Sequence, residues 1–148
     1  MTFDINNSLL HLLHRATQAA DELYVRNSGV GGITPRQLVV LSAVSNKEDV
    51  SQTEIVDATG IDRSTLADMV RRIQKAGLIV RKRAKNDARA YEVRLTPKGR
   101  NVLGAAGQVA LQSENELASG LKARQRDELS RLLQDLVDTA AKSKAGKS

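Results

Sequence analysis

At 148 residues with 41% hydrophobic side chains, the chain is long enough for one domain with a real core, but aromatics make up only 2% of it. Leu, Val, Ile and Ala must therefore do the packing. The absence of cysteine excludes disulfides, thiol redox sensing, Cys-ligated zinc and a cysteine nucleophile, and a net charge of +6 points to a polyanionic partner only if it is clustered.

In chain order, MTFDINNSLL lacks the basic region and long apolar core of a leader, and no later stretch approaches the roughly 18 apolar residues of a membrane span. The expected place is the cytoplasm, with no membrane partner. Ile5, Leu9, Leu12, Leu13, Ala16, Ala20 and Leu23 recur at helical spacing, which predicts a first helix over 5–27, ended by Asn27 and the glycines at 29, 31 and 32. A helix of that length with a broad leucine face calls for a partner outside its own domain, and a dimer contact is expected. His11 and His14 are the only histidines, and they sit three apart on this helix. That spacing can supply two metal ligands, but no third is signalled, so packing or surface roles are expected and no metal or cofactor is assigned.

Thr34, Pro35 and Gln37 form a capping box with proline in the first turn and open a second helix carrying Leu38, Val39, Leu41, Ala43 and Val44. Ser51 and Glu54 form another box, followed by Ile55, Val56 and Ala58 and closed by Thr59 and Gly60. Asp62 then caps a longer helix with Leu66, Met69, Val70 and Ile73 on one face, stopped at Gly77. A short helix, a glycine turn and a longer helix make a helix-turn-helix, whose second helix can enter the major groove of DNA.

Beyond Gly77 the period changes. Leu78, Ile79 and Val80 form a short apolar run, while Tyr91, Val93 and Leu95 alternate with Glu92 and Arg94, so two strands of a hairpin are expected with the polar RKRAKNDARA between them. From Arg71 to Arg89 there are eight Lys or Arg against the single acid Asp87, a charge of +7 where the whole chain carries +6. The positive excess thus sits on one helix and the hairpin after it, as a nucleic-acid contact surface requires.

Thr96 and Pro97 start a helix over 97–120, in which Gly104 and Gly107 could allow close approach of another helix. A last helix over about 123–140 lines up Leu129, Leu132, Leu133, Leu136 and Val137. Residues 141–148, with Lys142, Lys144 and Lys147, read as a disordered basic tail. The expected fold is mainly α with a small antiparallel β-hairpin wing: one domain over 1–148, with a winged helix-turn-helix lobe at 34–96 between dimerisation helices at 5–27 and 97–140.

This order of elements resembles the multiple antibiotic resistance regulator (MarR) family of bacterial transcription factors. The likeness covers nearly the whole chain and is sharpest in KNDARAYEVRLTPKG, which is similar to the family's wing signature, and in RRIQKAGLIVRKR, which is similar to its passage from recognition helix to wing. The resemblance implies a homodimer that binds a pseudo-palindromic double-stranded DNA operator, acts as a repressor, and is released by a small anionic or phenolic effector. It also implies that Arg89 enters the minor groove from the wing tip.

The remaining candidate DNA contacts lie on the capped helix and the wing. On the helix these are Arg63, Ser64, Thr65, Ala67, Asp68, Arg71 and Arg72. Ser64 and Thr65 can bond phosphate or base edges, or serve only the N-cap; Ala67 offers a surface for a thymine methyl, and Asp68 can accept from cytosine N4. Many members of the family carry a basic or polar residue where Asp68 stands and an acid where Arg71 stands. The exchange keeps a helix-surface ion pair available, with Asp68 reaching Arg71 or Arg72. On the wing, Lys82, Arg83 and Lys85 are expected to contact phosphates without reading sequence, and Asp87 to buttress the loop by pairing with a nearby arginine. An enzyme is not expected, since no Gly-rich phosphate loop or Ser-His-Asp set is present. The rival reading is a winged helix used for protein contacts, or one that coats DNA without specificity.

Overall fold

A computed structural model describes residues 4–146, which divide into two compact units, one up to Ser113 and one from Glu114 onward. In the first unit two cap residues follow each other closely. Asp4 accepts the Asn6 N–H at 2.9 Å over a 3₁₀ turn, Ile5–Asn7, and Ser8 accepts the His11 N–H at 3.2 Å to open helix α1, Leu9–Ser28. The first helix therefore starts four residues later than its apolar spacing suggests.

Both expected capping boxes form with both arms. Thr34 and Gln37 open helix α2, Pro35–Ser45, and Ser51 and Glu54 open helix α3, Gln52–Thr59. Gly60 adopts φ +70° at the turn, and Asp62 caps helix α4, Arg63–Lys75. A Schellman motif closes α4: Leu78 N–H donates to Ile73 C=O, Gly77 N–H donates to Gln74 C=O, and Gly77 takes φ +75°.

The sheet has three antiparallel strands in the order β1-β3-β2, where β1 is Val50–Ser51, β2 is Ile79–Arg83 and β3 is Tyr91–Leu95. Val50 faces Val93 across the β1–β3 pair, and Ile79 faces Leu95 across the β2–β3 pair. The first hairpin strand is shifted from the apolar run: Arg81, Lys82 and Arg83 lie in β2, not in the loop. One buried cluster joins the helices to the sheet, with Leu41 and Val44 from α2, Ile55 from α3, Leu66, Val70 and Ile73 from α4, and Ile79, Val93 and Leu95 from the strands. These aliphatic side chains form the core, and burial of each contributes on the order of 1.5–3 kcal/mol before entropy is counted.

Helix α5, Pro97–Leu117, is anchored at its start to the α4–β2 corner. Thr96 Oγ1 accepts the Gly99 N–H at 2.9 Å and donates to Gly77 C=O at 2.7 Å. Gly99 is required there, because a Cβ would stand 1.9 Å from the Leu78 carbonyl oxygen. At Gly104 and Gly107 a Cβ would meet nothing within 4 Å, so no close helix approach within the described residues explains them. Along its length α5 reaches α1 through Asn27 Nδ2, which donates to Ser113 Oγ at 3.1 Å.

In the second unit α5 ends at Leu117, short of the expected 120, and helix α6 spans Ala123–Ala145. Arg126 ties the corner by donating to Asn115 Oδ1 at 3.2 Å and to Leu121 C=O at 3.4 Å. The expected disordered tail is corrected over 141–145, which continues the helix. Lys142 and Lys144 fall in its last turn, where cations face the negative end of the helix dipole; Lys147 lies outside the described residues. Leu129, Leu132, Leu133, Leu136 and Val137 are all 39–62% exposed, so the apolar stripe of α6 is open.

Candidate nucleic-acid interface

Helix α4 turns Leu66, Val70 and Ile73 inward, which leaves Arg63, Ser64, Asp68, Arg71, Arg72 and Lys75 exposed and Thr65 and Ala67 half-buried. Its N-terminus is organised by one carboxylate. Asp62 Oδ1 accepts the Thr65 N–H and the Ser64 hydroxyl, each at 2.9 Å, and Oδ2 accepts the Thr65 hydroxyl at 2.6 Å. The Thr65 hydroxyl first, then the Thr65 amide and the Ser64 hydroxyl, hold the Asp62 carboxyl down at about 2. Both hydroxyl protons are thus committed to the cap, and to donate to a phosphate either must turn away from Asp62.

Arg63 links the two helices of the motif through Nη1, 3.4 Å from Thr53 Oγ1. One turn on, Asp68 and Arg71 form the helix-surface ion pair, so Arg71 rather than Arg72 is the partner. Among the described residues the side chains of Arg72 and Lys75 have no hydrogen bond or ion pair, which leaves their charge available.

The wing loop is built from its own backbone. Ala84 N–H donates to Ala90 C=O at 3.0 Å, Ala90 N–H donates to Asp87 C=O at 3.1 Å, and Arg83 Nη1 donates to Ala88 C=O at 2.6 Å. Asp87 was expected to pair with an arginine side chain; instead its Oδ1 accepts the backbone N–H of Arg89 at 2.9 Å, the turn-forming habit of aspartate. Lys85 and Arg89 point no charge at an acid among the described residues, and both are exposed at the tip. The guanidinium carbons of Arg81 and Arg83 lie over the Tyr91 ring, 4.5 and 5.7 Å from its centroid, and these cation–π contacts stiffen the hairpin.

The expectation for Lys82 changes most. Its ammonium is 2.8 Å from Asp49 Oδ2, and the same carboxylate takes a two-pronged contact from Arg94, Nε to Oδ1 and Nη2 to Oδ2, each 3.1 Å. Arg94 first and Lys82 second hold the Asp49 carboxyl below the ordinary carboxylate range. Lys82 is therefore a strap between the entry to β1 and the wing, with its charge already answered. Asp49, Arg94 and Tyr91 were absent from the expected site. Arg94 could have been suspected, because it alternates with buried Val93 and Leu95 and so lies on the outer face of β3. Its partner, 45 residues away in sequence, has no local signature.

A helix-turn-helix whose second helix and following β-hairpin carry the positive charge of the chain defines a winged-helix DNA-binding protein. The MarR family model matches residues 31–90. The transcriptional repressor NicR of Pseudomonas putida is 27% identical over 137 residues, covering 93% of this chain and 87% of NicR. BpsR of Bordetella bronchiseptica, whose DNA binding is regulated by 6-hydroxynicotinic acid, superposes with a TM-score of 0.88 at 27% identity, over 93% of this chain and 99% of that one. The repressor CouR, bound to a 23-mer DNA duplex, superposes with a TM-score of 0.82 at 28% identity over 93% and 99%. The similarity therefore extends from a MarR family match over the helix-turn-helix and most of the wing to winged-helix transcriptional regulators aligned over nearly the whole chain, and it supports a DNA-binding regulator rather than an enzyme.

Proposed function

We propose that the protein is a repressor that binds a pseudo-palindromic operator as a homodimer. The observation that carries this is the grouping of exposed cations that have no partner among the described residues: Arg72 and Lys75 on α4 and Lys85 and Arg89 on the wing tip, all within the segment of charge +7. Helix α4 enters the major groove with Ser64, Ala67 and Asp68 toward the bases, and Arg89 reaches the adjacent minor groove. The open apolar stripe of α6 supports a second copy as its cover.

An effector site fits the first unit. A cavity of about 230 Å³ opens between α1 and α5, lined by Tyr24, Ile33, Val102, Ala106 and the small residues around them. Tyr24 is only 5% exposed, and its hydroxyl has no partner among the described residues. A buried hydroxyl without a partner is costly, and a ring-sized ligand with an acceptor would satisfy it. Among the described residues the lining carries no charged side chain, which favours a phenolic or neutral aromatic effector over an anion at this place.

Selection of random duplex DNA by the purified protein, sequenced after washing at moderate salt, tests the reading. The expected product is an inverted repeat with half-sites about one helical turn apart. Recovery of random sequence alone would overturn it in favour of nonspecific coating or a protein-contact role.

A further inference from the structure

A larger cavity, of about 810 Å³, opens where the end of α2, the base of the wing and the first turns of α5 meet. Its volume lies in the range of sites that hold organic ligands. The apolar part of its wall is aliphatic: Val44, Val80, Leu95 and Leu103 line it, with no aromatic side chain among the described residues. Val80 is unexpected there. It sits on the outer face of β2, in register with Arg94 of β3, and is 48% exposed although its neighbours on that face are charged.

The polar part is cationic, with Lys47, Arg94 and Arg100 against one acid, Glu48. Lys47 is ion-paired with Glu54, and Arg94 is held by Asp49, but Arg100 differs. Arg100 Nη1 donates to the Leu95 carbonyl at 3.3 Å, and no acid pairs with its guanidinium among the described residues. A guanidinium offers five donors in a planar fork suited to a carboxylate, and here it lines the same cavity as the aliphatic side chains.

We propose that this cavity binds an amphipathic monocarboxylate of medium alkyl length. The carboxylate is taken by Arg100 with Arg94 beside it, and the chain lies along Val80, Leu95 and Leu103. Such a ligand competes with Asp49 for Arg94. Because Asp49 also holds Lys82, occupancy loosens the strap at the wing base; that effect on DNA rests on the regulator reading, whereas binding itself does not.

Octanoate, with octanol as the neutral probe of equal chain length, is titrated into the ¹⁵N-labelled full chain and followed by amide chemical shifts. Saturable shifts centred on Val80, Arg94, Leu95 and Gly104 are expected, with octanol weaker by on the order of tenfold, the worth of one charge-assisted hydrogen bond. Arg100→Gln should lower octanoate affinity by a similar factor, and Asp49→Asn should raise it, because a competitor for Arg94 is removed. Gly104→Leu should abolish binding by filling the cavity; a Cβ there meets nothing within 4 Å, so the variant is expected to fold, which its thermal melt checks. Three results overturn the site: no saturable shifts, shifts centred on Tyr24 and Ala106, or octanoate affinity unchanged in both Arg100→Gln and Gly104→Leu.

Discussion

Asp62 shows how one carboxylate can shape a binding helix before any DNA is present. It satisfies the Thr65 amide and orients the hydroxyls of Ser64 and Thr65, and its carboxyl is held at about 2 against an ordinary 3.8. A depressed folded pKa means that the stabilisation is complete above about pH 4 and is lost as pH falls toward about 2. Asp62→Asn keeps an acceptor for the cap but cannot titrate. In urea unfolding the variant should be less stable than the wild type near about pH 6, with the gap closing as pH falls through about 2. An unchanged gap at low pH would show that the Asp62 charge does not stabilise α4. A second contrast at this scale separates committed from available cations. Arg89→Ala should weaken operator binding by about 1–3 kcal/mol with the fold intact. Lys82→Ala should weaken it less, since Asp49 already answers that charge. Equal losses in a fluorescence-anisotropy titration would contradict this division.

At the scale of elements, the glycines of α5 make opposite demands. The first turn lies so close to the start of β2 that Gly99→Ala drives a methyl into the Leu78 carbonyl, and a loss of at least ~2 kcal/mol is expected. Gly104→Ala meets open space and should stabilise the helix by ~1 kcal/mol. Chemical denaturation of the two variants checks the pair, and a stable Gly99→Ala would mean that the α5 start can shift away from the sheet. Much of this architecture is readable in the chain because its signals are local. The boxes at Thr34–Gln37 and Ser51–Glu54, the Asp62 cap and the Gly77 stop each close within a few residues. What was not readable depends on distant partners. Strand β1 has only two residues and exists because Val50 meets Val93. Arg81–Arg83 join β2 because Tyr91 and Asp49 give basic side chains somewhere to lie. The same distance effect hid the Asp49–Arg94 pair, whose carboxylate also holds the ammonium of Lys82.

For the whole molecule, charge and oligomeric state meet in one measurable quantity, the salt dependence of DNA affinity. Each lobe carries its own +7 segment, so a dimer that engages two half-sites neutralises twice the phosphates of a lone chain. A dimer neutralising about 6–10 phosphates should lose 10³- to 10⁵-fold in affinity between about 50 and about 200 mM salt. The stripe on α6 is where the proposed dimer would be broken without touching that charge, since Leu132 and Leu136 stand one turn apart and both are exposed. Sedimentation equilibrium of the wild type should return twice the 16.1 kDa chain mass, and Leu132→Asp with Leu136→Asp should return it once. The double variant should then bind the full operator no better than a half-site, with a salt slope about half that of the wild type, because only one set of phosphates is engaged. A double variant that stays dimeric would move the interface off α6. One that becomes monomeric yet keeps the full slope would mean that a single lobe already neutralises all the phosphates the protein contacts.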